Sequence, residues 1–402
     1  MSATVRSAIA APDPIVIAAA IRTPLGRFTG ALAGMPASDL GAAAIRAALE
    51  KAGVAGADVD EVLMGCVLPA GQGQAPARQA ARKAGLPDHV GAVTVNKVCG
   101  SGMRATMLAH DMLLAGSAQI MVAGGMESMS GAPFLLPQMR AGRKAGHGQV
   151  LDHMMLDGLE DAYERDRAMG TFGEQCAEHY GFTRAEQDAY AIETLTRAQK
   201  AVTNGWFDAE IVPVTPDAKT GEVARDENPL KVNPEKIPTL KAAFKANGTV
   251  TPASSSANAD GAAALVLARR SEAERRGLPI IATILGHAVH AQEPQWFTTA
   301  PIPAIRKLLD KVGWTTGDVD LFEINEAFAV VPMAAMRDLN IGHDRINLHG
   351  GACALGHPIG ATGARIIVTL LNALDRAGAK RGVASLCIGG GEATAIAVER
   401  AA

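Results

Sequence analysis

A stretch of the chain is repeated at a constant offset of 260 residues. Residues 45–62 and 305–322 share eight identical residues out of eighteen, including a Gly and the Asp-Val-Asp that follows it. Farther on, residues 123–127 resemble residues 388–392 at nearly the same offset. Internal similarity of this kind indicates a duplicated structural unit, and we expect the second copy to begin at about Pro279.

Short apolar runs alternate with helix-like segments. Runs typical of buried strands cover residues 14–20, 59–67, 92–98 and 119–123. An Ala-rich helix is predicted from Ser38, as its N-cap, to about Ala52, with Gly53 as its stop. The alternation predicts an α/β fold with a parallel, layered arrangement in which helices cover both faces of the sheet.

The segment between the two copies has a different amino-acid composition. Residues 130–256 are richer in Met, charge and turn residues, although residues 187–204 predict a long helix. An insertion of this size is too long for a mere connection, and we expect it to cover a site. The predicted division is an N-terminal half at 1–129, completed by 257–278, an inserted loop domain at 130–256 and a C-terminal half at 279–402.

Composition excludes several classes of function. The formal net charge of −3 argues against a nucleic-acid partner, because a surface that follows phosphates normally needs a basic excess. The five cysteines lack CxxC spacing, so neither a disulfide framework nor a zinc cage is implied. Residues 1–14 contain no apolar run long enough for a signal peptide, and no stretch approaches a membrane span. We therefore expect a cytoplasmic protein without a membrane partner.

The turn around Cys99 is the first candidate site. The run at 92–98 predicts a strand and residues 103–115 predict a helix, which places Cys99 at the turn between them. The positive end of a helix favours a thiolate over a thiol, and this would make Cys99 a nucleophile. A buried packing cysteine is the alternative, and Cys99 alone does not decide between them.

Three further segments share this character, each short and placed after an apolar run. They contain Asn325, His357 and Cys387, the last followed by three glycines. Each has a structural alternative, since such groups often satisfy backbone polar atoms or fill a core. In a duplicated fold, however, Cys99 and Cys387 can meet at equivalent sheet ends. Two thiols, an imidazole and an amide together predict a site for proton and acyl transfer.

These four segments resemble the signature motifs of the thiolase family, in its order and spacing, and the resemblance extends from about Pro14 to the C-terminus. It implies a duplicated thiolase-like layered α/β/α/β/α fold with an inserted loop domain. It also implies condensation of two acetyl-CoA to acetoacetyl-CoA, or cleavage of a 3-ketoacyl-CoA with CoA, as in fatty acid metabolism. The expected ligands are acyl-CoA and CoA, without a further cofactor or metal, and the expected assembly is a homodimer or homotetramer.

The resemblance assigns a role to each catalytic candidate. Cys99, deprotonated by His357, would attack the thioester carbonyl and hold the acyl group. Cys387 would remove an α-proton from the second thioester, or protonate the leaving enolate in reverse. His357 and a water held by Asn325 would stabilise the enolate oxygen, whereas the N–H groups of Cys99 and Gly389 would stabilise the tetrahedral intermediate.

The resemblance also assigns substrate contacts. It places Ser256 and Phe244 at pantetheine, and Leu159 and Met169 along the CoA tunnel and acyl pocket, with Phe328 among the binding residues. Ala168 stands where many short-chain members have His, and the pair 392–393 departs from the usual Gln-Gly. These departures bear on chain length and pantetheine contacts.

Three other classes remain as alternatives. A ketoacyl synthase-like condensing enzyme would also use Cys with His, but would add a second His or an Asn rather than a second Cys. A non-catalytic acyl- or lipid-binding protein would keep the fold without the reactive groups. A metal hydrolase could use Cys99, His357 and Cys387 as ligands. The residues do not fix the favoured direction, because condensation and cleavage use the same groups.

Overall fold

The computed structural model describes residues 13–401, so most of the segment expected to lack a signal peptide lies outside the described residues. The strands are β1 (Ile15–Arg22), β2 (Gly26–Arg27), β3 (Glu61–Gly65), β4 (Gly91–Val95), β5 (Ile120–Ser128), β6 (Phe134–Leu135), β7 (Leu151–Asp152), β8 (Ala259–Arg269), β9 (Ala282–Ala291), β10 (Leu321–Ile324), β11 (Arg381–Ile388) and β12 (Glu392–Arg400).

Helices follow most of these strands. They are α1 (Ala37–Ala52), α2 (Pro76–Lys83), α3 (Ser101–Ala115), α4 (Gly170–Tyr180), α5 (Arg184–Thr203), α6 (Arg270–Arg276), α7 (Pro301–Val312), α8 (Val330–Leu339), α9 (Ala352–Leu355) and α10 (Ile359–Ala377). Within residues 13–401, no helix combines the length and the apolar character needed to cross a membrane.

One large sheet runs through both halves of the molecule. Its strand order is β10-β11-β12-β9-β1-β8-β5-β3-β4, with β2 added beside β8. Read outward from the β9–β1 pair, the N-terminal half contributes β1, β8, β5 and β3, and the C-terminal half contributes β9, β12, β11 and β10. The two halves therefore repeat one strand order, as the internal sequence similarity predicts.

The sheet is mixed, so the expectation of a parallel arrangement is wrong for half of its strands. Only β3–β4, β3–β5 and β10–β11 are parallel pairs in the large sheet, whereas β1, β8, β9 and β12 pair antiparallel. The reason is visible between β11 and β12, which only residues 389–391 connect. A parallel crossover needs a dozen or more residues. A connection of three residues therefore forces β12 to run antiparallel to β11.

The helices form three layers with the two half-sheets between them. Helices α3 and α10 lie in the middle, where a core that includes Met103 and Ile366 also contains Leu63 of β3 and Leu386 of β11. Helices α1 and α2 cover the outer face of the N-terminal half-sheet. Helices α7 and α8 cover the outer face of the C-terminal half-sheet. This order confirms the predicted α/β/α/β/α fold class.

Helix α1 shows which local predictions succeed. It ends as predicted at Gly53, whose φ of 66° is the left-handed conformation that glycine adopts without strain. It begins one residue before Ser38, however, and Ser38 does not cap it. The Ser38 hydroxyl instead accepts a hydrogen bond from Lys83 Nζ at 2.9 Å, because α2 packs against this end of α1.

The long helix predicted at residues 187–204 is present as α5, and the inserted segment also contains α4 and the β6–β7 pair, which were not expected. It is fastened to the sheet through Arg22 of β1. The Arg22 guanidinium donates to Asp226 at 2.7 and 2.8 Å and to Glu210 at 2.5 Å, and these three side chains are buried. The domain boundaries given above stay predictions.

Candidate active site

The turn that carries Cys99 connects β4 to α3. Strand β4 ends three residues earlier than predicted, and the turn contains Val98 at a φ of 45°. This conformation is a genuine outlier for a β-branched residue, and such strain persists only where the surroundings impose it. Here the Val98 N–H donates to Asn96 Oδ1 at 3.0 Å, and Ser101 Oγ donates to the Val98 carbonyl at 2.6 Å. The turn leaves Cys99 half-buried.

The end of β11 reaches the same place from the other half of the molecule. The backbone N–H groups of Gly389 and of Cys99 itself lie close enough to Cys99 Sγ to act on its pKa, and Cys387 interacts electrostatically with that sulfur. A Cβ atom on Gly100 would stand 2.4 Å from the end of the Ile388 side chain, so the glycine allows the two segments to approach closely. The two cysteines therefore meet at corresponding ends of the two half-sheets.

Both thiols are protonated at rest. Burial raises the pKa of Cys99 to about 11, although the N–H groups of Gly389 and Cys99 act in the opposite direction. Burial, together with the neighbouring Cys99, also raises the pKa of Cys387 well above its usual value. The backbone groups favour the thiolate, as expected at a helix end, but the loss of hydration outweighs them at Cys99.

The imidazole of His357 is held by Thr362 of α10, the helix that follows it. Its Nδ1 atom lies 2.7 Å from Thr362 Oγ1, and Thr362 Oγ1 lies 2.9 Å from the Pro358 carbonyl. Since the hydroxyl has a single proton and gives it to that carbonyl, Nδ1 is the donor to Thr362. Nε2 therefore carries the lone pair, and it is buried without a hydrogen-bond partner among the described residues.

The imidazole of His357 is neutral. Burial lowers its pKa to about 3, and the positive charge of Arg365 acts in the same direction. A neutral ring with a free Nε2 can accept a proton, which is what a general base requires.

Glu127 of β5 places the segment that contains His357. Its carboxylate accepts hydrogen bonds from the backbone N–H groups of Val67, Leu68 and Gly360 at 2.9 to 3.2 Å. Ile359, which precedes Gly360, packs in the small apolar cluster that Cys99 also contacts. His357 is thus tied to the Cys99 side of the site through its own loop.

Asn325 and Glu326 have opposite surroundings. The Glu326 carboxylate is fully used, since it accepts from Tyr190, Thr194, Asn347 and the Cys353 N–H. The Asn325 amide is buried, and neither its oxygen nor its nitrogen has a hydrogen-bond partner in the part of the chain that is described. A buried amide in this state is suited to binding a water molecule or a ligand.

The predicted substrate contacts gather on one wall. A Cβ atom on Gly389 would stand 3.4 Å from the Met169 side chain, and the Met169 N–H donates to the Leu159 carbonyl at 3.0 Å. The rings of Phe244 and Phe328 meet edge to face, with centroids 5.9 Å apart. Ser256 is half-buried, and its N–H donates to the Ala327 carbonyl one residue before Phe328.

Family comparison decides what this arrangement belongs to. The model of the thiolase N-terminal domain matches residues 15–271, and the model of the thiolase C-terminal domain matches residues 278–400. The chain belongs to the thiolase family. Membership agrees with the resemblance seen in the four motifs and supports it over the ketoacyl synthase-like alternative.

Curated relatives of this thiolase extend over nearly its whole length. An acetyl-CoA acetyltransferase of Schizosaccharomyces pombe is 46% identical, over 96% of this chain and 98% of the relative. Those of Chromobacterium violaceum and Cupriavidus necator are both 48% identical, over 96% of this chain and 99% of each relative.

Solved structures give the same result. The Acat5 thiolase of Ascaris suum, crystallised in complex with coenzyme A, superposes with a TM-score of 0.92 at 39% identity, over 96% of this chain and all of that one. The acetyl-CoA acetyltransferase of Bacillus anthracis gives a TM-score of 0.94 at 40% identity, over 97% of this chain and all of that one.

Sequence reasoning missed two residues of this thiolase that hold the site together. Thr362 lies within a helix of small residues, and nothing in its local pattern distinguishes it from a packing residue. Glu127 carries a signal that could have been used, because it ends the segment that resembles residues 388–392. A carboxylate at the end of an otherwise apolar strand must find donors when it is buried.

Proposed function

We propose that this thiolase transfers acyl groups between CoA thioesters through an acyl-Cys99 intermediate. The observation that carries the proposal is the approach of Cys387 and of the Gly389 backbone N–H, from the other half of the molecule, to Cys99 Sγ. Donors placed around a nucleophilic sulfur also lie where the oxygen of its tetrahedral adduct develops charge. The names of the curated relatives support acetyl-CoA as a substrate.

The protonation states support a definite order of steps for cleavage. His357 Nε2 takes the Cys99 proton as Sγ bonds to the 3-keto carbon, so that no free thiolate has to form in the buried site. The bond between the α- and β-carbons then breaks, and the Cys387 thiol protonates the acetyl-CoA enolate. His357 and a water on Asn325 stabilise the enolate oxygen.

The second half of the reaction restores the resting groups. The CoA sulfur attacks the acyl carbon on Cys99, and the CoA thiol proton passes to the Cys387 thiolate. The departing Cys99 sulfur recovers its own proton from His357. Condensation follows the same path in reverse, with Cys387 as the base that removes the α-proton.

Substrate binding follows the wall described above. Ser256 and Phe244 would contact the pantetheine arm, with Phe328 packed against Phe244, whereas Met169 and Leu159 would border the acyl group. CoA thioesters are the only ligands that this chemistry requires, because the chain supplies the nucleophile, the base and the acid.

We further propose a homodimer or homotetramer in the cytoplasm. Three large apolar side chains on one short segment, Phe134, Leu136 and Met139, are each more than half exposed. A patch of this kind often marks a subunit interface. The five cysteines are free, and a reducing compartment would keep Cys99 and Cys387 as thiols. Light scattering during gel filtration gives the mass of the assembly.

The test of the proposed function is a trapped intermediate. After brief exposure of the protein to acetyl-CoA and acid quenching, we expect mass spectrometry to find one acetyl group per chain, on the peptide that contains Cys99. Cys99→Ser should abolish that thioester, and the matched control Cys176→Ala should retain it, because Cys176 is a buried core residue of α4 that takes no part in the proposed steps. Acetyl label on a different residue would refute the proposal.

Chain-length preference needs a separate measurement. Thiolysis rates on a series of 3-ketoacyl-CoA substrates, from four carbons upward, distinguish two kinds of thiolase. A steep fall after the shortest substrate identifies an acetoacetyl-CoA enzyme, whereas a plateau identifies an enzyme of broad degradative specificity.

A further inference from the structure

A second group of ligating side chains lies away from the active site, where α3 packs against the C-terminal half-sheet. It consists of His110 and Asp111 on α3 and His287 on β9. One ligand atom from each of the three lies within 4.8 Å of the other two. Asp111 Oδ1 is 3.1 Å from His110 Nδ1 and 2.8 Å from His287 Nε2. We propose that these three side chains form a binding site for a divalent transition-metal ion such as Zn²⁺.

The distances suit a metal ion. Ligand atoms bonded at about 2.1 Å to one divalent ion stand about 3.0 to 3.4 Å apart at octahedral or tetrahedral angles. The separations of Asp111 Oδ1 from the two histidine nitrogens lie within a few tenths of an ångström of that range, and the two nitrogens lie within 4.8 Å of each other. The two imidazole rings meet edge to face with centroids 5.0 Å apart, so both nitrogens point toward the carboxylate from different directions. Imidazole and carboxylate ligands favour Zn²⁺, Co²⁺ or Ni²⁺ over Ca²⁺.

Burial prepares the ligands for this role. The side chains of His110 and His287 are 9% and 11% exposed, so packing fixes both imidazoles beside Asp111. An imidazole binds a metal ion in its neutral form. Binding requires only that each ring carries its proton on the nitrogen that faces away from Asp111. The Asp111 side chain is half exposed, which leaves room for water at the remaining coordination positions.

Two cations weaken the site without blocking it. Lys311 and Arg104 lie near His287, and Lys311 Nζ donates to the His287 carbonyl at 3.2 Å. Their charge opposes a bound cation, so we expect roughly micromolar affinity rather than the tight binding of a structural zinc site. An ion bound here would connect α3, which begins two residues after Cys99, to a strand of the other half.

The experiment uses the whole protein after treatment with a chelator and its removal. Titration with Co²⁺, followed by calorimetry and visible absorption, should give one ion per chain with ligand-field bands and a higher melting temperature. His287→Gln and Asp111→Asn should each weaken binding by about tenfold or more, because each removes one of three ligands. The matched control His89→Gln removes an exposed histidine elsewhere and should leave the affinity unchanged.

Three results would overturn the metal site. They are equal Co²⁺ affinity in His287→Gln and the unaltered protein, absence of binding up to millimolar Co²⁺, and a thiolate-to-cobalt charge-transfer band, which would place the ion on a cysteine. Circular dichroism and metal-free thiolysis activity verify that the variants fold. The outcome does not depend on the proposed acyl transfer, because neither variant touches Cys99, His357 or Cys387.

Discussion

The imidazole of His357 donates a 2.7 Å hydrogen bond from Nδ1 to the hydroxyl oxygen of Thr362. This bond determines which ring nitrogen carries no proton, because the Thr362 hydroxyl donates its own hydrogen bond to the Pro358 carbonyl. The identity of the base in the proposed reaction, Nε2, is therefore determined by a residue five positions along the same chain segment.

Thr362→Val should impair catalysis through the tautomer of His357. Loss of a buried hydrogen bond costs about 1 to 3 kcal/mol, which corresponds to roughly a fivefold to 150-fold fall in kcat. We expect KM to change little, because Thr362 does not line the substrate wall. Thr362→Ser keeps the hydroxyl and should recover most of the rate in steady-state thiolysis assays. Equal rates for the Val and Ser variants would contradict this role.

Cys387→Ala should separate the two halves of the reaction. Without the second thiol, exchange of the acetyl-CoA α-protons with deuterated water should stop, as followed by proton magnetic resonance. Acetylation of Cys99 should remain detectable by mass spectrometry, because that step uses Cys99 and His357. Undiminished exchange in this variant would remove Cys387 from the role of base.

Alkylation of Cys99 should report its raised pKa. Below a pKa of about 11, the thiolate fraction rises about tenfold for each pH unit, so the rate of reaction with iodoacetamide should rise in the same proportion between about pH 7 and pH 9. Mass spectrometry measures the alkylation rate as the loss of the unmodified peptide that contains Cys99. A rate that levels off in this range would show that the resting nucleophile is a thiolate.

Asp226→Ala should destabilise the fold. It leaves the buried Arg22 guanidinium with only Glu210 as a partner, and breaking a buried ion pair from one side typically costs about 3 to 5 kcal/mol. Urea unfolding followed by circular dichroism measures the change. Glu178→Gln, which breaks the exposed contact with Lys245, is the control and should leave the midpoint nearly unchanged. Equal midpoints for the two variants would argue against the anchoring role of Arg22.

The sequence predicts this fold well where information is local or repeated. The offset of 260 residues foretells two halves with one strand order, and Gly53 marks a helix end by its freedom to adopt positive φ. The direction of strands β8 and β12 is harder to predict from the sequence, because it depends on which neighbouring strand each of them pairs with. Only the short connection at 389–391 could have revealed the antiparallel pair.

The candidate site divides in the same way. Cys99, His357, Asn325 and Cys387 stand in recognisable motifs, and the approach of Cys99 to Cys387 could be anticipated from the duplicated halves. The protonation of Cys99 could not, since it depends on the balance between lost hydration and the N–H groups of residues 99 and 389. The role of Thr362 could not be predicted either, because its contact with His357 is seen only once α10 is placed against the loop that precedes α10.

The pairing of corresponding sheet ends has a consequence for how the enzyme is made. Cys99 lies in the first quarter of the chain, whereas Cys387 and Gly389 stand near its end. Until His357 and Gly389 are also made, a chain emerging from the ribosome carries the proposed nucleophile without the base proposed to activate it and without one of the proposed oxyanion donors. On this proposal the two halves must dock before Cys99 can be acylated, so unfinished or truncated chains would not consume thioesters.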